Sequence, residues 1–273
     1  TSDCIITASA IEISPKGIDL DKISSLEEAS RRIYMSATLA DDSVFVSALG
    51  LNTEDMKNII TPENANDIGD RLIIFPKYVN SDISEIEIKE KIEKIAEKYN
   101  VVILVPSFSR AKFWDERGIR TATKDNIDKI VAALKSGKHV GKIIFVNRYD
   151  GIDLPGDACR MFVIDGLPPL NSIKDRYIQS VAPQSTVLLR EQVQRIEQGM
   201  GRGIRSNDDE CCIVLMGDEL TDVLSRNRGI DYFSVATRCQ YDLSKQLWDL
   251  LVSETGSKPT IDQIFELANY SLE

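Results

Sequence analysis

Short apolar runs separated by longer, charge-rich amphipathic segments are the feature of this sequence that most constrains its fold. The runs are RLIIF (71–75), VVILV (101–105), KIIFV (142–146), RMFVI (160–164) and CCIVLM (211–216). Nearly continuous aliphatic runs of this length are typical of strands buried on both faces, as in a parallel sheet. The intervening residues 84–99, 124–137 and 186–200 have helical periodicity. This alternation predicts an α/β fold in which helices flank a parallel sheet.

Both ends of the chain depart from this alternation. Residues 1–40 contain two strand-like runs, CIITASAIEI and RRIYMSATL, whereas residues from about 231 to 273 have a helical pattern in which Trp248 and Leu250 are expected apolar anchors. We therefore expect an N-terminal strand segment (1–40), a central α/β domain (41–230) and a C-terminal helical extension (231–273).

Composition narrows the possible functions. The net charge of −10 argues against a large surface that coats nucleic acid non-specifically, but it leaves room for a local basic groove. The chain has no apolar run of about 18 residues, so no transmembrane helix is expected. The five cysteines form no C-x-x-C pair and His139 is the only histidine, so no metal site is expected. We expect free thiols in a reducing cytoplasm, with Cys211 and Cys212 buried in a strand.

The glycine-rich stretch EQGMGRGIRSN (197–207) is a candidate phosphate-binding element. Gly199, Gly201 and Gly203 permit a close backbone approach. Arg202 and Arg205 are three residues apart and can share a face. The planar guanidinium group fits phosphoryl oxygens and stays charged. The alternative is a pair of surface arginines in a flexible glycine loop.

Three further segments place polar groups directly after predicted strands. The stretch NRYDGIDLPGDACR (147–160) carries carboxylates that can accept from a ribose hydroxyl or a cation, or can simply form an acidic turn. The stretches YMSATLADD (34–42) and ILVPSFSRAKFW (103–114) carry Thr38, and Ser107 with Ser109. Hydroxyls at strand ends can contact a nucleic-acid backbone, although helix capping is the alternative for them.

In this order, the segments SATL, ILVPSFSRAKFW, DGIDLPGDACR and QGMGRGIR resemble motifs III, IV, V and VI of superfamily 2 helicases. The forms of the last two most resemble the DinG-like branch, which is related to the iron–sulfur helicases. The resemblance covers roughly residues 30–225. It implies the second motor domain of a helicase, a RecA-like parallel sheet flanked by helices.

The resemblance also implies roles for individual residues at the nucleotide. Arg202 and Arg205 would reach across a cleft to the γ-phosphate of ATP. Gln198 would help to position the nucleotide or the attacking water. Gly151 and Asp153 would lie at the same cleft and couple the state of the nucleotide to strand binding.

By the same resemblance, Ser107, Ser109 and Thr38 would touch the backbone of a nucleic acid. The resemblance favours DNA over RNA. The Gly-Lys pairs at GKH (137–139) and GKI (141–143) are not followed by Ser or Thr, so neither forms a P-loop. ATP and Mg²⁺ would then be held mainly by an N-terminal RecA-like domain of the same full-length protein, and the isolated chain should be inactive.

The leading hypothesis is the C-terminal half of an ATP-dependent helicase or translocase. The alternative is a degenerate helicase-like domain that acts as a binding or scaffold module. A stand-alone phosphotransfer enzyme is disfavoured, because the sequence offers neither a P-loop nor a histidine-based constellation.

Overall fold

The computed structural model describes residues 2–15, 17, 20–34, 51–52, 54, 69–149, 152–170, 172–204, 209–226 and 228–273. Its strands are β1 (Ser2–Ile6), β2 (Ile11–Pro15), β3 (Asp70–Ile74), β4 (Val101–Val105), β5 (Lys142–Val146), β6 (Met161–Asp165) and β7 (Glu210–Met216). Its helices are α1 (Ser24–Glu27), α2 (Pro76–Val79), α3 (Glu85–Ala96), α4 (Phe108–Trp114), α5 (Ile127–Lys135), α6 (Ile173–Val181), α7 (Thr186–Met200), α8 (Asp218–Thr221), α9 (Val235–Thr255) and α10 (Ile261–Leu272). None of these described helices is long and apolar enough to cross a membrane.

The described residues fall into two compact units. One comprises residues from 1–65 together with 170–185, and the other comprises residues from 66–169 together with 186–273. The larger unit contains the sheet, and the candidate site residues that the structure describes all belong to it.

A five-stranded parallel sheet forms the centre of the larger unit, in the order β3-β7-β6-β4-β5. Side chains of β4 alternate between the two cores: Val102 and Leu104 belong to one, and Val101 and Ile103 to the other. Because helices cover both faces, the strands need apolar side chains in both directions. The parallel α/β prediction is therefore confirmed.

Local signals in the sequence account for the helix boundaries. Ser84 accepts a hydrogen bond from the amide of Glu87, whose carboxylate accepts from the amide of Ser84, and this capping box begins α3. Gly137 follows α5 with φ +74°, a conformation that glycine adopts readily at a helix end. The predicted helix over 186–200 coincides with α7.

The C-terminal residues are helical, as expected, and α9 contacts β3 at the edge of the sheet. The Arg71 side chain, on β3, donates to the hydroxyl of Thr237 at 3.0 Å and to the amide oxygen of Gln240. Trp248 is buried, as expected. Leu250 is 57% exposed, so its assignment as a buried anchor is wrong. On a 21-residue helix only one face can meet the sheet.

In the smaller unit, the run CIITASAIEI is not one strand, and this prediction is wrong. The chain turns back at Thr7, whose side-chain oxygen accepts from the amides of Ser9 and Ala10 at 3.4 and 3.1 Å. Strands β1 and β2 therefore pair as an antiparallel hairpin. In the run RRIYMSATL, residues 31–34 are not in a strand, and the remainder lies outside the described residues.

Candidate functional site

The end of α7 packs closely onto the sheet at a glycine. A Cβ atom on Gly199 would lie 3.2 Å from Cδ1 of Ile164, 3.3 Å from Cδ2 of Leu104 and 3.4 Å from Cδ1 of Tyr149. The absence of a side chain therefore lets the helix approach strands β4 and β6. The chain then continues through a short 3₁₀ turn, Gly201–Gly203, which carries Arg202.

Arg202 is held by the segment that follows β5. Its Nε donates to the carbonyl of Tyr149 at 3.1 Å, and its Nη1 donates to Oδ1 of Asp153 at 3.3 Å. The Arg202 carbonyl in turn accepts from the amide of Leu154 at 2.9 Å. The structure thus brings together two predicted site residues, Arg202 and Asp153, that are 49 positions apart in the sequence.

The ion pair between Arg202 and Asp153 is a weak one. Its contact of 3.3 Å is long, and the Asp153 side chain is 52% exposed, so water screens the interaction. The Arg202 side chain keeps 19% of its surface exposed. A guanidinium has five N–H donors, and only two contacts from this one are described here. The described contacts therefore leave N–H donors of Arg202 without a partner.

Gln198 lies in the last turn of α7 and is half-buried. Within the described part of the chain its side chain has no hydrogen-bond partner. The neighbouring Glu197, in contrast, has a partner. Its carboxylate accepts a hydrogen bond at 3.1 Å from the amide of Ser234, at the start of α9. Two other predicted site residues, Gly151 and Arg205, lie outside the described residues, as does Thr38.

Gly203 marks the point where this turn meets the amino ends of two strands. A Cβ atom there would lie 2.6 Å from Sγ of Cys211 and 3.6 Å from the carbonyl oxygen of Cys159. Both cysteines are buried and unpaired, and burial raises the pKa of the Cys159 thiol well above its ordinary value. Cys211 therefore fills the space that a side chain at position 203 would need.

Ser107 and Ser109 lie beyond the carboxyl end of β4. The Oγ of Ser107 accepts from the amide of Arg110 at 3.1 Å and so caps α4. Both serines are exposed. The hydroxyl proton of a capping serine is still available for donation. Among the described contacts, none joins either serine to Arg202.

Beside Ser107, a buried carboxylate holds α4 against the sheet. Arg110 donates from Nε and Nη2 to the two carboxylate oxygens of Asp165 at 2.7 and 2.8 Å, and the Trp114 indole donates to the same group at 2.6 Å. Glu85 accepts from Arg110 at 2.8 Å. Burial raises the pKa of Asp165, and the hydrogen bonds from Arg110 and Trp114 oppose that rise. Sequence reasoning missed Asp165, although a carboxylate directly after an apolar run was a usable signal.

No group of three or more His, Cys, Asp or Glu residues converges to hold a metal ion within the described part of the chain. The Tyr149 side chain is also unsuited to acid–base chemistry near neutral pH. Burial, and next the charge of Asp165, raise the pKa of its phenol above the ordinary value, so it stays protonated. The arrangement therefore offers a guanidinium group that suits anions, and its described residues form no cluster of three or more metal ligands.

A protein family and a solved structure match parts of this chain. Residues 88–227, just over half of the chain, match the family described as helicase C-terminal domain. A solved structure titled XPD helicase has 18% sequence identity and a TM-score of 0.49, and the match covers 72% of this chain and 40% of that one. This chain therefore spans well under two thirds of that structure's length. No curated protein matches the chain.

Proposed function

The chain belongs to the helicase C-terminal domain family, and from this premise we propose that it is the C-terminal motor domain of an ATP-dependent helicase or translocase. In this proposal the chain supplies Arg202 and Arg205 to ATP held mainly by another RecA-like domain. That partner would be the N-terminal domain of the same full-length protein.

The observation that carries the proposal is the set of hydrogen bonds between motifs V and VI. Arg202 is joined to Tyr149, Asp153 and Leu154. If Arg202 changed its binding partner, its hydrogen bonds to the segment that follows β5 would change directly. Such a connection is what a motor needs in order to link nucleotide state to strand binding.

Bound ATP would supply the phosphoryl group whose hydrolysis drives the cycle. Arg202 and Arg205 would stabilise the charge that develops during transfer, as finger arginines do in other nucleotide hydrolases. Gln198, on the preceding turn, would orient the attacking water. In this proposal the Mg²⁺ ion, like ATP, is held mainly by the other domain.

On the strand side, we propose that Ser107, Ser109 and Thr38 contact the backbone of a single nucleic-acid strand, with DNA favoured over RNA. Hydroxyl groups are common donors to phosphate oxygens. The two described serines are exposed at the carboxyl end of β4, where a strand can reach them.

One observation favours the alternative, a degenerate domain that acts as a binding or scaffold module. Arg202 already has an anionic partner in its own chain, Asp153. In a scaffold this pair would be permanent and would only fix the segment after β5. In a motor the pair would open whenever ATP is bound between the two domains.

The two functions are separated by assaying ATP hydrolysis with the 273-residue chain and with the intact protein side by side, each with and without single-stranded DNA. A motor domain predicts no hydrolysis by the chain alone and DNA-stimulated hydrolysis by the intact protein. Absence of hydrolysis in both would favour the scaffold. Hydrolysis by the isolated chain would contradict both proposals, because positioning and metal binding would then have to lie within it.

A further inference from the structure

Two exposed side chains beside motif IV have no structural role in the described contacts. Phe108, the first residue of α4, is 63% exposed. Arg148, two residues beyond β5, is also exposed. Within the ranges that the structure describes, Arg148 has no hydrogen-bond or ion-pair partner. An exposed aromatic residue is common on a protein surface, so what matters here is the position of Phe108 relative to Arg148.

The sheet places these two side chains at the same edge. Strands β4 and β5 are adjacent and parallel, with Val105 opposite Val146, so their carboxyl ends coincide. The amide of Asn147 donates to the carbonyl of Val105 at 2.8 Å, which extends the pairing one step past β5. Phe108 and Arg148 are three and two residues beyond this paired register.

The backbone at Asn147 determines where the chain goes next. Its φ of +51° is left-handed, a conformation in which asparagine is enriched and most other residues are strained. The chain therefore turns sharply just before Arg148 instead of continuing the strand. The exposure of Arg148 thus follows from a defined turn that is tied to β4.

Within the described residues, Arg148 is an exposed cation at this edge with no ion-pair partner. The other nearby arginine, Arg110, is committed to Asp165 and Glu85. Ser107 and Ser109, on either side of Phe108, add exposed hydroxyl groups. An aromatic face flanked by hydroxyls and a free guanidinium is the combination that binds single-stranded nucleic acids, by stacking on a base and pairing with phosphate.

We propose that Phe108 stacks on an unpaired base and that Arg148 binds an adjacent phosphate of a single strand. This inference rests on the proposed function, and it adds a contact to the bases where Ser107, Ser109 and Thr38 would contact only the backbone. The ligand class is single-stranded nucleic acid, because the base of a duplex has no free face for the ring.

The test compares two fluorescein-labelled 20-mers of equal charge, dT20 and an abasic oligodeoxyribose phosphate, by anisotropy with the 273-residue chain. Stacking requires bases, so the wild-type chain should bind dT20 about tenfold more tightly than the abasic strand. Phe108→Ala and Phe108→Leu should abolish this preference, and Phe108→Trp should keep it. Tyr270→Ala is the matched control, because Tyr270 is a comparably exposed aromatic (72%) on α10.

For the second contact, Arg148→Gln should weaken binding of both strands alike. It should also make the negative slope of log affinity against log salt concentration shallower by about 0.7, the value for one lost phosphate contact on a single strand. Arg117→Gln, at an exposed arginine beyond α4, should leave the slope unchanged.

Equal wild-type affinity for dT20 and the abasic strand would overturn the stacking inference and leave the proposed motor function standing on backbone contacts. Failure to bind either strand would also overturn it, and the motor function would then be judged by ATP hydrolysis of the intact protein. An equal loss of both affinities in Phe108→Ala would show that the ring acts on the fold and not on a base.

Discussion

Gly203→Ala is a sharp test of the geometry around the arginine turn. The new Cβ would lie 2.6 Å from Sγ of Cys211, about 1 Å closer than two such atoms normally approach. Cys211 is buried in β7 with 1% of its surface exposed, so the sulfur has little room to move. Overpacking of this kind costs about 1–3 kcal/mol. We expect the free energy of unfolding to fall by that amount.

Two companion variants separate this clash from other effects of adding a methyl group. Gly201→Ala adds the same atom two residues earlier, where nothing lies within 4 Å of the new Cβ, so its effect should stay within about 0.5 kcal/mol. Cys211→Ala removes the sulfur. The double variant with alanine at 203 and 211 should therefore be about as stable as Cys211→Ala alone, with a favourable coupling of about 1–2 kcal/mol.

Urea unfolding followed by tryptophan fluorescence measures these differences. Trp114 and Trp248 are both buried in the larger unit, so the signal reports the sheet that contains the arginine turn. Equal midpoints for the alanine variants at positions 201 and 203, at an unchanged slope, would refute the reasoning. So would an additive double variant, because the sulfur would then not be the atom that the methyl group meets.

Three further predictions concern the contacts that support the site. Asn100 is buried. Its side chain donates to the carbonyls of residues 138 and 157 and accepts from the amides of residues 140 and 141. Asn100→Ala should therefore lower the free energy of unfolding, measured in urea, by about 2–4 kcal/mol. Asp165→Asn keeps the shape of the side chain but leaves the Arg110 guanidinium without its bidentate partner. We expect the free energy of unfolding to fall by about 1–3 kcal/mol, and an unchanged urea midpoint would contradict this. The hydrogen bonds from Ser84 hold the pKa of Glu87 below its ordinary value. Ser84→Ala should raise that pKa in an NMR titration. Because the folded pKa is the lower one, the stability that Glu87 contributes relative to Glu87→Gln should be present at neutral pH and lost as pH falls through the folded pKa.

Much of the fold could be predicted from the sequence because its strands are buried on both faces. The runs VVILV and KIIFV coincide with β4 and β5, since charged or turn-forming residues bound each of them. The hairpin of β1 and β2 was missed because no charged or strongly turn-forming residue separates its two strands. The small residues between its strands look like part of one run, whereas in the structure the backbone and the hydroxyl of Thr7 form the hydrogen bonds of a turn.

The candidate site could be proposed from the sequence as a set of motifs but not as a geometry. The sequence indicated Asp153 and Arg202 separately, whereas their contact depends on how the chain returns after β5. The position of Gly203 against Cys211 and the burial of Asp165 are tertiary facts that no local pattern encodes. The exposure of Phe108 could not be predicted either, because an aromatic residue beside an apolar strand is more often part of a core.

The central claim is that Arg202 acts on ATP that another domain holds, and single-turnover ATP hydrolysis by the intact protein with saturating single-stranded DNA tests it most directly. We predict that Arg202→Ala slows the hydrolysis step on the order of a thousandfold, as loss of a finger arginine does, and that Arg205→Ala does the same. Arg190→Ala, at an exposed arginine on α7 that lies over the Tyr232 ring, should leave the rate within about twofold, as expected away from the γ-phosphate. Wild-type hydrolysis rates in both Arg202→Ala and Arg205→Ala would contradict the account.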